Sequence, residues 1–217
     1  MSFYQAELEA RVTAPICRYQ TPAMRTFLCC LLVSCLLSCK SSDPNKPHIL
    51  IRTAAGDIEV ELYPLQAPKS VDAFLSYVDS GLYKNGSFYR VLNDDNQPSG
   101  SGAVSLIQGG IWQTNHAKAK SLPGIPHETT QQTHILHTDG TISLARTKPG
   151  TASTEFFICV GDQPGYDYGG ADSPDGQGYA AFGKVVKGME VVRAIYGDPQ
   201  SNQVFTPTIP IISITRD

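Results

Sequence analysis

Arg90 is the residue that first suggests chemistry in this sequence. It stands within FYRVL, residues 88–92, a stretch of aromatic and branched side chains that is typical of a β-strand. A guanidinium stays charged at any ordinary pH and is costly to bury, so it lies either on the solvent face of this strand or at the wall of a site. At the wall of a site it would offer fixed, planar N–H donors that never lose their proton.

The segment HETTQQTHILH, residues 127–137, contains side chains of the types that bind metals. Their spacing is irregular, and the segment is predicted to be a loop that leads into a strand. Side chains in such an arrangement are usually structural or exposed to solvent, and we expect no metal and no cofactor. The residues concerned are His127, Glu128, His134 and His137.

Of the six cysteines, five lie at or before residue 39. Only Cys159 lies in the rest of the chain, so no internal disulfide can form there. Its surroundings, EFFICVGD, contain no histidine and predict a buried small side chain rather than a nucleophile. A cysteine hydrolase is the alternative that this pattern disfavours.

The elements that would position these side chains begin at residue 48. HILIRT and DIEVELY alternate apolar and polar residues on either side of Ala54-Ala55-Gly56, which predicts a β-hairpin. APKSVDAFLSYVDSG follows with apolar residues at helical spacing, a proline that suits the first turn and Gly81 at the end. A second amphipathic helix is predicted over residues 189–196.

Further short strands follow, separated by loops rich in Gly, Ser and Asp. We predict them at residues 87–92, 104–108, 141–146, 155–160, 180–186 and 209–215. About eight short strands with two helices favour an antiparallel sheet, and closure into a barrel would remove its exposed edges. The predicted fold is mainly β, a closed eight-stranded antiparallel β-barrel capped by two α-helices over residues 48–217.

Four blocks of this region resemble, in order, the signature blocks of the cyclophilin-type peptidyl-prolyl cis-trans isomerases. They are FYRVL, LIQGG, GTISLARTKPGTASTEFFICVGD and YAAFGKVVKGMEVV. The resemblance covers roughly residues 48–215 and implies an outer groove that binds an extended X-Pro segment. It also implies catalysis of rotation about the X-Pro peptide bond without any cofactor.

The resemblance assigns roles to individual residues. Arg90 matches the catalytic arginine, and Gln108 matches the glutamine that hydrogen-bonds this arginine and the substrate backbone. Phe157 matches the floor of the proline pocket, whereas Phe156 is expected to point the opposite way, into the core. The remaining substrate-binding positions, which form the walls, the rim and the edge that pairs with the substrate, are Leu106, Tyr179, Phe182, Ala145, Arg146 and Glu155.

Three departures from the family pattern stand out. Glu155 replaces a usual glutamine and would place a carboxylate near Arg90, where it could orient the guanidinium or compete with substrate for it. Ser105 replaces a usual phenylalanine of the pocket after the long polar link NDDNQPSGSGAV, so we expect a more open pocket. The loop 165–178 lacks the tryptophan of cyclosporin-sensitive members, so we expect weak cyclosporin binding.

The N-terminal part has the pattern of a secretory signal. Residues 27–37 form an apolar run after Arg25, too short to span a bilayer, and a polar stretch follows. Leu36-Leu37-Ser38-Cys39 resembles the lipobox of bacterial lipoproteins, with Cys39 as the lipidated residue, although Cys35 fits as well. We therefore expect an upstream extension over residues 1–23 with translation starting at Met24, a signal peptide over 24–38 and a tether over 39–47.

Charge and composition limit the classes of molecule that this protein can bind. The chain has 17 Lys and Arg against 20 Asp and Glu, for a net charge of −3, and no basic run, which argues against nucleic acid. We expect a monomer in the cell envelope, facing the periplasm or cell surface, that binds X-Pro segments of unfolded or flexible proteins and contacts the membrane through a lipid. The alternative is a proline-peptide binding module or holdase with the same groove and little turnover.

Overall fold

In the computed structural model, which describes residues 43–98 and 104–217, nine strands and four helices are found in the described part of the chain. The strands are β1 (His48–Thr53), β2 (Gly56–Leu62), β3 (Gly86–Leu92), β4 (Leu106–Gly110), β5 (Thr141–Leu144), β6 (Phe156–Cys159), β7 (Ala180–Lys187), β8 (Gln200–Ser201) and β9 (Val204–Arg216). The helices are α1 (Pro68–Asp79), α2 (His116–Ser121), α3 (Thr130–Thr133) and α4 (Met189–Tyr196).

Eight of the strands close into a ring. Their order is β1-β2-β7-β5-β6-β4-β3-β9, and β9 pairs back to β1. Every pairing is antiparallel, and the two-residue β8 pairs with β9 outside the ring. The predicted closed eight-stranded antiparallel barrel is therefore confirmed, and no ring strand presents an open edge along its paired length.

The hairpin that opens the domain has the predicted turn. Thr53 pairs with Gly56, which leaves only Ala54 and Ala55 as the loop. The hydroxyl of Thr53 donates to the Gly56 carbonyl at 2.8 Å and accepts the Ala55 N–H at 3.1 Å. Gly56 has a φ of +137°, and a Cβ there would lie 2.8 Å from the Val191 side chain, so both conformation and space require glycine.

Helix α1 buries the apolar face that its spacing predicts. Val71, Phe74, Leu75 and Val78 all lie in the main core. At the C-terminus Gly81 has a φ of +68°, its N–H donates to Val78 and the Leu82 N–H donates to Tyr77. This is a Schellman ending, as the glycine after the last apolar residue indicates.

The N-terminus of α1 is capped from a distant part of the chain. Glu128 accepts hydrogen bonds from the backbone N–H of Lys69 at 3.1 Å and of Ser70 at 2.8 Å, and from the Ser70 hydroxyl at 2.7 Å. Ala67, at the N-cap position, has no side chain that could do this. The Glu128 carboxylate, buried and close to the positive end of the helix dipole, thus ties the loop before α3 to α1.

We predict that Glu128→Ala destabilises the domain by about 2 kcal/mol, because it leaves the buried N–H and hydroxyl of Ser70 and the part-buried N–H of Lys69 without an acceptor. Urea unfolding followed by circular dichroism would measure this. Glu190→Ala, which removes an exposed carboxylate on α4, is the matched control and should change the free energy of unfolding by about 0.5 kcal/mol or less. Equal stability of the two variants would contradict the capping role.

The core fills the inside of the barrel. Phe74 of α1 packs against Tyr83, Phe156 and Phe182, with ring centroids 5.0 to 5.6 Å apart. Val192 and Ile195 of α4 join the same core cluster, so both longer helices cover it as predicted. The short helices α2 and α3 were not predicted, because four to six residues are too few to show helical periodicity. No helix in the described ranges is long and apolar enough to cross a membrane.

Candidate active site

A β-bulge in β3 turns two consecutive side chains to the outside of the barrel. Phe88 pairs with Gly109 and Arg90 pairs with Gln108, and the register shifts between them, so Tyr89 has no partner opposite it. The register against β9 also shifts between Phe88 and Arg90, whose partners there are Ile209 and Val204. Phe88 and Val91 point into the core, whereas Tyr89 and Arg90 both line an outer groove. Arg90 therefore lies at the wall of a site.

The groove has a volume of about 560 Å³ and runs over the outer faces of β3, β4 and β6. Strand alternation supplies its lining, because Leu106, Gln108 and Phe157 face outwards while Ile107 and Phe156 face the core. The predicted opposite directions of Phe156 and Phe157 are confirmed. Loop residues, among them Trp112, Ala145 and Tyr179, complete the groove.

The half-buried Arg90 guanidinium is held by two neutral amides. Its Nε and Nη2 donate to Oε1 of Gln203 at 3.2 and 2.7 Å, and its Nη1 donates to Oε1 of Gln108 at 3.3 Å. Gln203 lies in the tight turn between β8 and β9 with a φ of +69°, and its own amide donates to the Asn96 carbonyl at 3.1 Å. Sequence reasoning missed Gln203, because it lies 113 residues from Arg90 in the sequence and nothing in its local pattern shows that the two are neighbours in space.

Gln108 connects Arg90 to a chain of hydrogen bonds. Its Nε2 donates to the Tyr89 hydroxyl at 2.8 Å, and that hydroxyl donates to Oε2 of Glu155 at 2.7 Å. We call this series Arg90–Gln108–Tyr89–Glu155 the relay. Tyr89, which the sequence analysis did not assign to the site, is only 6% exposed and reaches this position through the bulge.

The expectation that the Glu155 carboxylate would lie beside Arg90 is not met, because no hydrogen bond joins the two in the described residues. The Arg90 hydrogen bonds in the described structure go to glutamines, and Glu155 stands at the other end of the relay. The reason is local: the carboxylate is drawn to the free N–H groups of Ile111 and Trp112, both at 3.0 Å, and the Thr154 hydroxyl at 2.9 Å. Burial raises the pKa of Glu155, and these hydrogen bonds partly oppose the rise.

Beside Arg90 lies an apolar hollow. Phe157 and Leu106 line it, each 2% exposed, and the rings of Tyr166 and Tyr179 both stand edge-on to Phe157, with centroids 5.4 and 5.5 Å away. Tyr166 is the last residue of a 3₁₀ turn, Pro164–Tyr166, in the loop that has no tryptophan. Sequence reasoning did not assign Tyr166, although an aromatic in that loop was a signal for it.

Ala145 and Arg146 form the edge after β5. Ala145 lines the groove, and its N–H donates to the Glu155 carbonyl at 2.8 Å. The Arg146 side chain has a second task, since its guanidinium donates to both Asp175 oxygens at 2.6 and 2.8 Å and to the Gly178 carbonyl. It lies 5.0 Å from the centre of the Tyr179 ring, so it fixes the loop that forms the rim of the groove.

Phe182 is not a pocket residue, and this prediction was wrong. The side chain is fully buried in the main core and packs 5.0 Å from Phe74. It follows Tyr179 by three positions, and the chain turns into β7 between them, so Tyr179 faces the groove while Phe182 faces inwards. Ser105 is also outside the groove lining, and its hydroxyl accepts a hydrogen bond from Tyr196 of α4 at 3.1 Å.

The two phenylalanines should therefore respond differently to truncation. We predict that Phe182→Leu lowers the free energy of unfolding by about 1–2 kcal/mol with an unchanged KM, because it leaves a space in the core. Phe157→Leu should raise KM for a proline peptide severalfold at a smaller cost in stability, because it reshapes the hollow. Urea unfolding and peptide isomerisation kinetics on both variants would check this, and a raised KM in Phe182→Leu would contradict it.

The four residues of the segment 127–137 lie apart and bond to different partners. Glu128 caps α1, His127 lies 3.3 Å from the Gln177 carbonyl, and His134 ends α3 in a left-handed conformation. His137 lies between Asp167 at 2.8 Å and the Ser143 hydroxyl at 3.0 Å. Among the residues that the structure describes, no group of three or more His, Cys, Asp or Glu side chains is arranged to hold a metal ion.

Two arrangements resemble nucleophile sites but are closed to substrate. Ser143, His137 and Asp167 are hydrogen-bonded in the order of a hydrolase triad, yet Ser143 is fully buried and His137 is 1% exposed beneath Phe157. Cys159 is fully buried as well, and burial raises the pKa of its thiol. Neither the serine nor the cysteine can attack a substrate in the groove.

The comparisons agree with this geometry. The family model described as "Cyclophilin type peptidyl-prolyl cis-trans isomerase/CLD" matches residues 48–216. Peptidyl-prolyl cis-trans isomerase A of Dickeya dadantii (strain 3937) is 38% identical over 149 residues, covering 68% of this chain and 70% of the relative. Peptidyl-prolyl cis-trans isomerase B of Escherichia coli (strain K12) is 33% identical over 150 residues, covering 69% and 84%.

A solved structure shows the same fold. The crystal structure of a Cryptosporidium parvum cyclophilin-type peptidyl-prolyl cis-trans isomerase superposes with a TM-score of 0.62 at 23% identity, covering 79% of this chain and 98% of the other. The family match and the relatives show that the chain belongs to the cyclophilin-type peptidyl-prolyl cis-trans isomerases. Peptidyl-prolyl cis-trans isomerase activity follows from this membership.

Proposed function

We propose that Arg90 is the catalytic residue of this isomerase and that the protein acts on X-Pro bonds of extracytoplasmic proteins, assisting their folding. The observation that carries the first part is the position of the guanidinium. It is held by Gln108 and Gln203 at the edge of the apolar hollow that Phe157 and Leu106 line.

The physical problem is a rotational barrier. Amide resonance sets it at about 18–20 kcal/mol, and an uncatalysed X-Pro bond takes tens of seconds or more to exchange. At a twist of ninety degrees the resonance is lost, and the prolyl nitrogen gains a lone pair. A donor aimed at this nitrogen stabilises the twisted state more than either planar state, which lowers the barrier without covalent chemistry.

Each side chain then has a part. The proline ring would lie on Phe157 and Leu106, with Tyr166 and Tyr179 at its sides. Arg90 would donate to the prolyl nitrogen, and Gln108 would hold Arg90 and contact the substrate backbone. The main chain of Ala145 and Arg146 would pair with the substrate segment. Glu155 lies in the groove lining, with its carboxylate bonded to Tyr89 and to backbone N–H groups.

We predict that Arg90→Ala lowers kcat/KM by about 10²–10³-fold, since it removes the one donor to the twisted bond. Arg90→Lys should recover only part of this, because an ammonium lacks the planar fork that two amides hold. A protease-coupled assay on a proline tetrapeptide measures the effect. Arg52→Ala, which removes an exposed arginine paired with Asp57 on the first hairpin, is the matched control and should keep the wild-type rate.

Wild-type turnover at the uncatalysed rate would refute the enzyme itself. Wild-type turnover with an unimpaired Arg90→Ala variant would refute only the role of Arg90.

The cellular setting is proposed from the sequence before residue 43, which lies outside the described residues. The apolar run over residues 27–37 and the lipobox-like Leu36-Leu37-Ser38-Cys39 support secretion and a lipid on Cys39. The tether over residues 39–47 would then separate the barrel from the membrane. The barrel is expected to act as a monomer at the periplasmic face or cell surface.

We predict that the mature protein begins with a lipid-modified Cys39 and fractionates with membranes. Mass spectrometry of the N-terminal peptide and detergent phase partitioning would measure this. Cys39→Ser should prevent lipidation, whereas Cys35→Ser is the control that should leave it intact. An unmodified N-terminus upstream of Cys35 would contradict the anchor, and the reverse behaviour of the two variants would move it to Cys35.

A further inference from the structure

Glu155 divides its hydrogen bonds unequally between its two oxygens. Oε1 accepts from the N–H of Ile111, the N–H of Trp112 and the hydroxyl of Thr154, at 3.0, 3.0 and 2.9 Å. Among the residues that the structure describes, Oε2 accepts only from the Tyr89 hydroxyl, at 2.7 Å. Gly110 allows this approach, because a Cβ on it would lie 2.5 Å from the carboxyl group. Oε2 is therefore the oxygen through which Glu155 acts on the relay.

The chemistry of these groups fixes the direction of every hydrogen bond in the relay. An ionised carboxylate has no hydrogen, so the Tyr89 hydroxyl must donate to it. A hydroxyl has one hydrogen, so towards Gln108 it can only accept. Gln108 must then turn its NH₂ group to Tyr89, at 2.8 Å, and its Oε1 to Arg90, at 3.3 Å. The carboxylate thus decides which end of the Gln108 amide faces the arginine.

We propose that Glu155 is a positioning residue that keeps Gln108 turned as an acceptor for Arg90, and that protonation of Glu155 reverses the relay and slows isomerisation. This inference rests on the proposed roles of Arg90 and Gln108. It concerns the departure of this chain from the family pattern, in which a glutamine usually stands at this position.

Reversal follows from the same donor and acceptor rules. A proton on Glu155 takes Oε2, because Oε1 already accepts three hydrogen bonds, and it is then donated to the Tyr89 oxygen. The Tyr89 hydrogen now turns to Gln108, which must present Oε1 to Tyr89 and NH₂ to Arg90. The NH₂ group of Gln108 and Nη1 of Arg90 are both donors and then face each other. Of its hydrogen bonds to the two glutamines, Arg90 keeps those to Gln203. The variant Glu155→Gln has the same donor pattern at every pH.

The acid form of Glu155 is reached at a higher pH than for an ordinary carboxyl group. Burial raises its pKa, against the lowering effect of the hydrogen bonds from Tyr89, Thr154 and the backbone. The carboxylate predominates above this pKa and the acid below it. Activity should therefore be full above the pKa and fall as the pH drops through it.

Other titratable or charged groups surround Glu155. Tyr89 from β3 and Tyr83 from the segment after α1 have pKa values raised by burial and stay neutral, and the guanidinium of Arg90 lies at the other end of the relay. Helix α2 lies beyond Trp112 and contributes His116 and Lys120. The His116 and Trp112 ring centroids are 3.9 Å apart, and Nζ of Lys120 lies 5.9 Å from the centroid of the Trp112 ring. An imidazole can in general change its charge between pH 5 and 8, so His116 needs its own control.

The test is a pH profile of kcat/KM for a proline tetrapeptide between about pH 4.5 and pH 8. Exchange NMR of the cis and trans peptide signals is used, because it needs no coupling protease. The wild type should lose about three- to tenfold across one inflection, the effect of one hydrogen bond in the site. A carbon-13 titration of the Glu155 carboxyl should show the same midpoint.

Three variants complete the test. Glu155→Gln should have the low rate of the acidic wild type at every pH, without the inflection. Tyr89→Phe, which breaks the relay at the hydroxyl, should lack the inflection, because Glu155 can then no longer turn Gln108, and it serves if Glu155→Gln does not fold. His116→Gln should retain the inflection.

The proposal is overturned if Glu155→Gln keeps the wild-type rate or its inflection, if the inflection disappears in His116→Gln, or if the wild-type rate is flat while Glu155 titrates. A wild type without turnover at pH 7.5 would instead refute the proposed function. Thermal unfolding of each variant verifies that the folded state is being measured.

Discussion

The site depends on keeping one guanidinium charged, aligned and available. A carboxylate partner would align Arg90 but would also cancel the charge that the twisted peptide bond needs. The protein uses the carbonyl ends of Gln108 and Gln203 instead, which accept hydrogen bonds without carrying a charge. The carboxylate of the relay, that of Glu155, is separated from Arg90 by the hydrogen-bonded side chains of Tyr89 and Gln108.

The β-bulge at Tyr89 makes this arrangement possible. A regular strand would send Tyr89 and Arg90 to opposite faces, with one of them in the apolar core. The bulge brings the hydroxyl and the guanidinium to the same side, where Gln108 on the neighbouring strand can contact both. The packing of the core is retained, because Phe88 and Val91, on either side of the bulge, still point inwards.

Much of the fold could be predicted from the sequence, and the reason is physical. Period-two alternation marked the first hairpin, helical spacing marked α1, and closure of the ring follows from the need to satisfy strand edges. Arg90, Gln108 and Phe157 were found through ordered motif blocks. The sequence could not reveal Gln203, Tyr89 or the true partners of Glu155, because a bulge and a tight turn that brings Gln203 to Arg90 leave no periodic signal. Phe182 was misplaced because a motif match says which residue occupies a position and not which way its side chain turns.

Cys159 has a consequence for the conditions under which this barrel can fold. It is the only cysteine after residue 39, and its thiol lies buried behind the hollow with a raised pKa. A thiol that is rarely ionised and cannot be reached exchanges slowly with disulfides or oxidants. No disulfide within residues 48–217 contributes to the stability of the barrel, so the folded barrel does not depend on an oxidising environment.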